Sequence, residues 1–221
     1  LLSGGLDSSA ISILAHKLSL KRFQTFSIVS EEKKFSEEYF IDLLVKSANI
    51  KNNKIILNSN DIPNKIDDVI FHQDEPFGSF SIIAQYLIFE RIHNKFDIKV
   101  VLSGQGGDET MMGYLKYFFF YLDHLKKQFR FDLIIKELLA SLINGTVVLQ
   151  NKLSTAKRYI PYYLNKTDDF ITIKGLPEKT WASDSLRIRQ QLDIDKYSVP
   201  NLARFEDRNS MAFSIETRLP F

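Results

Sequence analysis

Along the first half of the chain the spacing of apolar residues switches back and forth between a helical and a strand rhythm. Ile11, Leu14, Ala15 and Leu18 fall three or four apart, which predicts an amphipathic helix over SSAISILAHKLSL laid on an apolar surface. TFSIV (25–29) then reads as a strand. Ser36 followed by Glu37 and Glu38 supplies an N-cap and an acidic first turn for a helix over EEYFIDLLVKSA, and KIIL (54–57) reads as the next strand. A helix through IPNKIDDVIFH, a polar-aromatic loop QDEPFGSF and an apolar helix SIIAQYLIFERIHN lead into IKVVLS (98–103). That short continuous apolar run has the character of a strand buried on both faces of a parallel sheet.

Beyond Gly113 the strand signal fades. DLIIKELLASLING carries an Asp132 cap and a Gly145 stop, and YSVPNLARFEDRNSMAFSIE is helical in spacing. The expected fold class is therefore α/β, with a doubly wound parallel sheet over residues 1–112 and a mostly helical half over 113–221. Residues 145–180 are the most loop-like stretch, and a mobile segment is expected there.

Composition removes several functional classes. Lys and Arg total 29 against 27 for Asp and Glu, so a net charge of +2 gives no general electrostatic reason to seek nucleic acid or an anionic membrane. The densest apolar run, YFFFYL (117–122), meets Asp123 and His124 at once, far short of the ~18 residues a membrane helix needs. With no cysteine, disulfides, thiolate metal sites and thiol nucleophiles are excluded from this chain. Nothing at the N-terminus resembles a signal peptide, so a cytoplasmic location is expected by default.

The chemistry concentrates in two strand-to-loop transitions, LSGGLDS (2–8) and LSGQGGDE (102–109), each with Ser-Gly first and an acidic residue a few positions later. In a doubly wound sheet the first strand is central and the fourth lies beside it, so both loops are expected to face one crevice at the topological switch point. Gly4 and Gly5 let backbone N–H groups approach a ligand, and the following helix adds its positive end, which suits pyrophosphate. A carboxylate there would repel phosphate unless a cation intervened, and Asp7 and Asp108 are hard oxygen ligands suited to Mg²⁺. Neither loop matches G-x-x-x-x-G-K-[ST] or G-x-G-x-x-G. A plain tight turn, with Asp7 as a helix cap, is the competing account of either loop alone.

The same residues resemble a known family. SGGLDSS is similar to the pyrophosphate-binding PP-loop of the N-type ATP pyrophosphatases. VVLSGQGGDETMMGY resembles the second loop of the asparagine synthase family, HQDEPFGSFSIIAQY fits the stretch between, and RFEDRNSMAFSIETRLPF resembles that family's closing signature. The resemblance spans essentially the whole chain and implies an adenine nucleotide alpha hydrolase-like fold. It also implies an ATP-dependent ligase domain in which a carboxylate, by default aspartate, is adenylated, pyrophosphate leaves, and ammonia forms the amide.

Carried over by position, the resemblance assigns Ser3, Gly4, Gly5, Asp7 and Ser8 to pyrophosphate and Mg²⁺, with Asp108 joining the metal. Backbone around Leu1, Ile28, Ser103 and Gly104 would line the adenine and ribose of ATP. Gln105 stands at a reaction-centre position where many members carry Glu, alongside Asp7 and Asp108 as the catalytic set. Glu75 lies on the loop expected to rim the acceptor pocket, while Arg204, Asp207, Arg208, Glu216 and Arg218 alternate with Phe205, Met211, Ala212, Phe213 and Ile215, which are expected inside, and are read as a paired network shaping the substrate side. Expected cofactors are ATP and Mg²⁺. The expected partners are a small-molecule carboxylate and ammonia from a glutaminase domain outside this chain, with no nucleic acid or membrane and with a homodimer left open. Without the glutaminase domain and the Lys that follow the family's pattern on either side, the chain reads as a piece of a longer protein. Another carboxylate acceptor such as a sugar acid, a PP-loop tRNA-modifying activity and a non-catalytic nucleotide-binding module stand as alternatives.

Overall fold

The computed structural model describes residues 1–19, 23–30, 36–58, 61–144 and 185–221. These fall into two compact units, Leu1–Asp108 with Tyr197–Phe221, and Glu109–Lys196.

In the first unit, helix α1 (Leu6–Leu18) leads to strand β1 (Gln24–Ser30), helix α2 (Glu38–Ala48), strand β2 (Lys51–Leu57), helix α3 (Asp61–Gln73), helix α4 (Phe80–Lys95) and strand β3 (Val100–Leu102). The alternation read from the sequence is present. β1 pairs in parallel with β2, from Gln24 opposite Lys51 to Ser30 opposite Leu57. The strands form two small parallel sheets, β1 with β2 and β3 with a strand from the chain's end, rather than one continuous sheet. Leu1 and Leu2 lie between the two sheets: the Leu2 nitrogen donates to the Phe26 carbonyl at 2.9 Å and the Leu1 nitrogen donates to the Leu102 carbonyl.

Helix α4 organises the core because it is apolar on more than one side. Ile88, Phe89 and Ile92 pack with Phe26, Val101 and Ile215, while Ile82, Ile83 and Tyr86 pack with Val69 of α3. Leu2, Val29 and Ile41 form a third cluster under α2. Each such fully buried side chain contributes on the order of 1.5–3 kcal/mol.

Several sequence expectations are corrected. In α1 the buried positions are Ser8, Ile11 and Ser12, whereas Leu14 and Leu18 are 59% and 81% exposed, so the helix seats its small residues rather than the full leucine stripe. Ser36 does not cap α2 as its N-cap residue; Glu37 holds that position, and the Ser36 hydroxyl accepts from the Glu38 amide at 3.3 Å. β3 is only three residues long, and Val100 is 42% exposed, so the run is not buried on both faces.

The chain then forms a short helical turn α5 (Gly107–Thr110), and in the second unit α6 (Leu115–Lys127), α7 (Phe131–Ile143) and α8 (Leu186–Leu192), the last running into a π-helical turn at Asp193–Tyr197. α7 is capped at Arg130 rather than Asp132, which instead pairs with Arg130. The expected Gly145 stop and the loop-like 145–180 stretch lie outside the described residues. Within this unit Asp193, wholly buried, accepts from Arg189, Lys116 and the Tyr117 hydroxyl. α9 (Val199–Met211) returns the chain to the first unit, packing on α3 and α4. Its helical rhythm does not continue through Ile215 as expected. Ser214 takes a left-handed φ of 55°, and β4 (Glu216–Arg218) pairs in parallel with β3.

Among the described residues no helix is long and apolar enough to cross a membrane.

Candidate functional site

The first glycine loop is wound tightly on itself. Gly4 has φ +88°, a backbone that a side chain rarely adopts, and its α-carbon faces Phe40 and Ile41 of α2. Gly5 is the N-cap of α1 and supplies no side-chain cap, so the first-turn N–H groups of α1 are not closed by a capping side chain. Asp7 lies in that first turn and does not occupy the cap position, which removes the capping account of its role. The loop's hydroxyls are interlinked: Ser3 Oγ and Ser8 Oγ are 2.9 Å apart, and Ser8 Oγ donates to the Gly5 carbonyl at 3.2 Å.

The second loop closes directly on the first. A Cβ on Gly104 would stand 2.9 Å from the Ser8 nitrogen and 3.2 Å from its Cα. A Cβ on Gly107 would stand 2.8 Å from Asp7 Cβ and closer still to the Asp7 carboxyl. Gly106, at φ +90°, makes the turn between them, with Phe221 against it. The two Ser-Gly-acid segments, about one hundred residues apart in sequence, therefore meet without room for a methyl group between them.

Other predicted residues take varied places. Leu1 and Ile28, both half-buried, pack their side chains against the core cluster around Phe89. Ser103, at the end of β3, is buried; Gln105 and Asp108 are half-buried. The expected substrate-side network is divided. Arg204 pairs with Glu75 and Arg208 pairs with Asp74 at 2.8 Å, so α9 grips the loop after α3. Glu216 and Arg218 are exposed and pair with each other on β4 at 2.8 Å, and Asp207 is exposed. Met211, expected inside, is 55% exposed.

The buried residues of α9 are instead polar: Glu206, Asn209 and Ser210. Ser103 Oγ donates to Glu206 Oε2 at 3.1 Å. Burial pushes the Glu206 carboxyl up, outweighing the stabilising Ser103 and Gln85 side chains. Sequence reasoning passed over Glu206 as part of a charged run; its signal was the polar stripe of Glu206, Asn209 and Ser210 at helical spacing.

For a metal, the residues expected as donors are Asp7, against which Gly107 closes, and Asp108, the next residue along the second loop. Among the described residues no group of three or more His, Asp or Glu side chains converges on a point. Two hard oxygen donors beside a loop rich in backbone N–H fit a divalent cation that takes its remaining ligands from phosphate and water. They do not fit a metal held by protein alone.

A mixed α/β unit with two glycine loops clasped together, one before α1 and one after the parallel strand β3, is the class that the fold and site define. The chain belongs to the asparagine synthase family, whose family model matches residues 1–221. It is 28% identical over 247 residues to asparagine synthetase [glutamine-hydrolyzing] 1 of Bacillus subtilis, covering all of this chain and 38% of that protein. To putative asparagine synthetase [glutamine-hydrolyzing] 2 of Methanocaldococcus jannaschii it is 35% identical over 128 residues, 57% of this chain and 24% of the relative. To the Gallus gallus asparagine synthetase [glutamine-hydrolyzing] it is 34% identical over 128 residues, 52% and 21%. The chain thus spans at most 38% of the length of these relatives.

Proposed function

We propose that this chain is the ATP-using part of an amide-forming ligase: it adenylates a carboxylate, with aspartate the default, and the acyl-adenylate is then attacked by ammonia derived from glutamine. The observation that carries the reading is the clasp of Gly104 and Gly107 on Ser8 and Asp7, which brings both acidic loops to one place. The hydrogen bonds from Leu1 and Leu2 to the two small sheets support one doubly wound arrangement with these loops at its switch point.

On this reading the backbone of Ser3–Gly5 and the first turn of α1 hold the β- and γ-phosphates, while the hydroxyls of Ser3 and Ser8 shape the loop around them. Asp7 and Asp108 would hold Mg²⁺, which when bound neutralises charge on the phosphate oxygens. Donors fixed before reaction stabilise the charge that builds on departing pyrophosphate, and positioning brings the acceptor carboxylate in line with the α-phosphorus. Arg204 and Arg208, with Glu75 and Asp74, would form the acceptor rim. Gln105 offers an amide instead of a charge beside the reacting groups, and so provides hydrogen bonding without proton abstraction.

ATP–pyrophosphate exchange in the full-length protein tests this. Exchange that requires a carboxylate, aspartate first, is the expected outcome, and Asp7→Asn or Asp108→Asn should cut it at least tenfold while the fold is kept. Exchange that needs tRNA, or none with any carboxylate, would refute the ligase reading.

A further inference from the structure

A line of buried polar side chains runs through the first unit to the second glycine loop. Ser103 Oγ donates to Glu206 Oε2, and the Gln85 side chain acts on the same carboxyl. Gln85 Oε1 accepts from Asn209 Nδ2 at 3.0 Å, and Asn209 Oδ1 accepts from Gln73 Nε2 at 2.7 Å. Gln73 and Asn209 are 0% exposed and Glu206 is 1% exposed. Gln73 ends α3 immediately before Asp74 and Glu75, the partners of Arg208 and Arg204.

Such a line is expensive to keep for stability alone. A buried carboxyl is costly, and an apolar side chain of similar volume commonly does better in its place. Among the described residues Glu206 Oε1 has no hydrogen-bond partner, so the carboxyl is not fully repaid where it sits. Its hydrogen bond at 3.1 Å goes to Ser103, the residue at which β3 becomes the loop. The next residue, Gly104, is the one in contact with the Ser8 backbone.

We propose that Glu206 is a positioning residue for the nucleotide site: its carboxyl fixes the Ser103 hydroxyl and thereby sets the turn whose Gly104 and Gly107 backbone receives Ser8 and Asp7. The inference rests on the adenylation reading and deepens it. A glutamine at 206 retains an oxygen acceptor for Ser103, whereas leucine fills the space and abolishes the bond.

The test uses full-length protein, Mg-ATP affinity by titration calorimetry, ATP–pyrophosphate exchange and thermal unfolding. Glu206→Leu and Ser103→Ala should each weaken the Mg-ATP Kd by about five- to tenfold. The double variant should be no weaker than Glu206→Leu alone, since both remove one interaction. Glu206→Gln should keep the Kd within about threefold of the parent and retain exchange. Unchanged Mg-ATP affinity in Ser103→Ala, or in a folded Glu206→Leu, would overturn the inference by leaving Glu206 a purely structural residue. Loss of exchange in Glu206→Gln with binding intact would overturn it in another way, by requiring an ionised carboxylate. If Glu206→Leu does not fold, Ser103→Ala and Glu206→Gln decide. A parent protein that binds Mg-ATP but exchanges with no carboxylate loses the ligase reading while the affinity series still judges Glu206; a parent that does not bind Mg-ATP defeats both.

Discussion

Gly104 and Gly107 are the residues at which a single methyl group decides how the two loops meet. Their Cβ positions fall against the Ser8 backbone and the Asp7 side chain, neither of which can yield without moving the start of α1. Gly104→Ala should therefore destabilise the protein by about 1–3 kcal/mol and weaken Mg-ATP binding, and Gly107→Ala should displace Asp7 and raise the Mg²⁺ requirement. Gly78, with nothing within 4 Å of its Cβ position, is the matched control, and Gly78→Ala should leave binding unchanged. Calorimetry on the three variants checks the contrast. These loops were legible because glycine, hydroxyl and acid sit within a few residues of one another, so local spacing carries the chemistry. Glu206 was not, because sequence period says that residues share a face but not whether that face meets water or a buried Ser103 hydroxyl.

At the scale of elements, α9 and β4 show where periodicity misleads. The spacing of Phe205, Met211, Ala212 and Ile215 continues a helical count, but a left-handed Ser214 breaks it, and three residues of strand are too few to leave a period of their own. The expected Gly145 stop lies outside the described residues, whereas the Asp132 cap failed because Arg130 draws that carboxylate into an ion pair. In the second unit the π-helical turn begins at Asp193, whose carboxyl joins α6 to α8 through Lys116, Tyr117 and Arg189. Burial opposes its ionisation, but the hydrogen bonds from Arg189, Lys116 and Tyr117 prevail and hold the carboxyl below the usual range. A depressed carboxyl stabilises the fold above its unfolded value, and that contribution is lost as pH falls through the lower folded value. Asp193→Asn removes the carboxylate that pairs with buried Arg189 and with Lys116, and should cost about 3–5 kcal/mol at neutral pH. Urea unfolding from pH 7 down to pH 2 should show the variant's deficit constant to about pH 4 and shrinking below it, as the parent's own carboxylate becomes protonated.

In the whole molecule the first unit is built from two separated stretches of chain, Leu1–Asp108 and Tyr197–Phe221. No reading of local rhythm could anticipate that return, because the same amphipathic helix can seat on any apolar partner. The return is nonetheless structural. Ile215 is 1% exposed within the cluster around Phe89, and the Ser103 amide donates to the Arg218 carbonyl at 3.1 Å. Ile215→Ala should cost about 2–5 kcal/mol and speed hydrogen exchange at the Ser103 and Glu216 amides together, measured by mass spectrometry or NMR. Because the polypeptide leaves this unit at Asp108 and re-enters it at Tyr197, residues 109–196 are topologically an insert between β3 and β4. Chimaeras that exchange the insert for a foreign one of different length are the way to separate inheritance of the two-loop framework from diversification of what it is applied to.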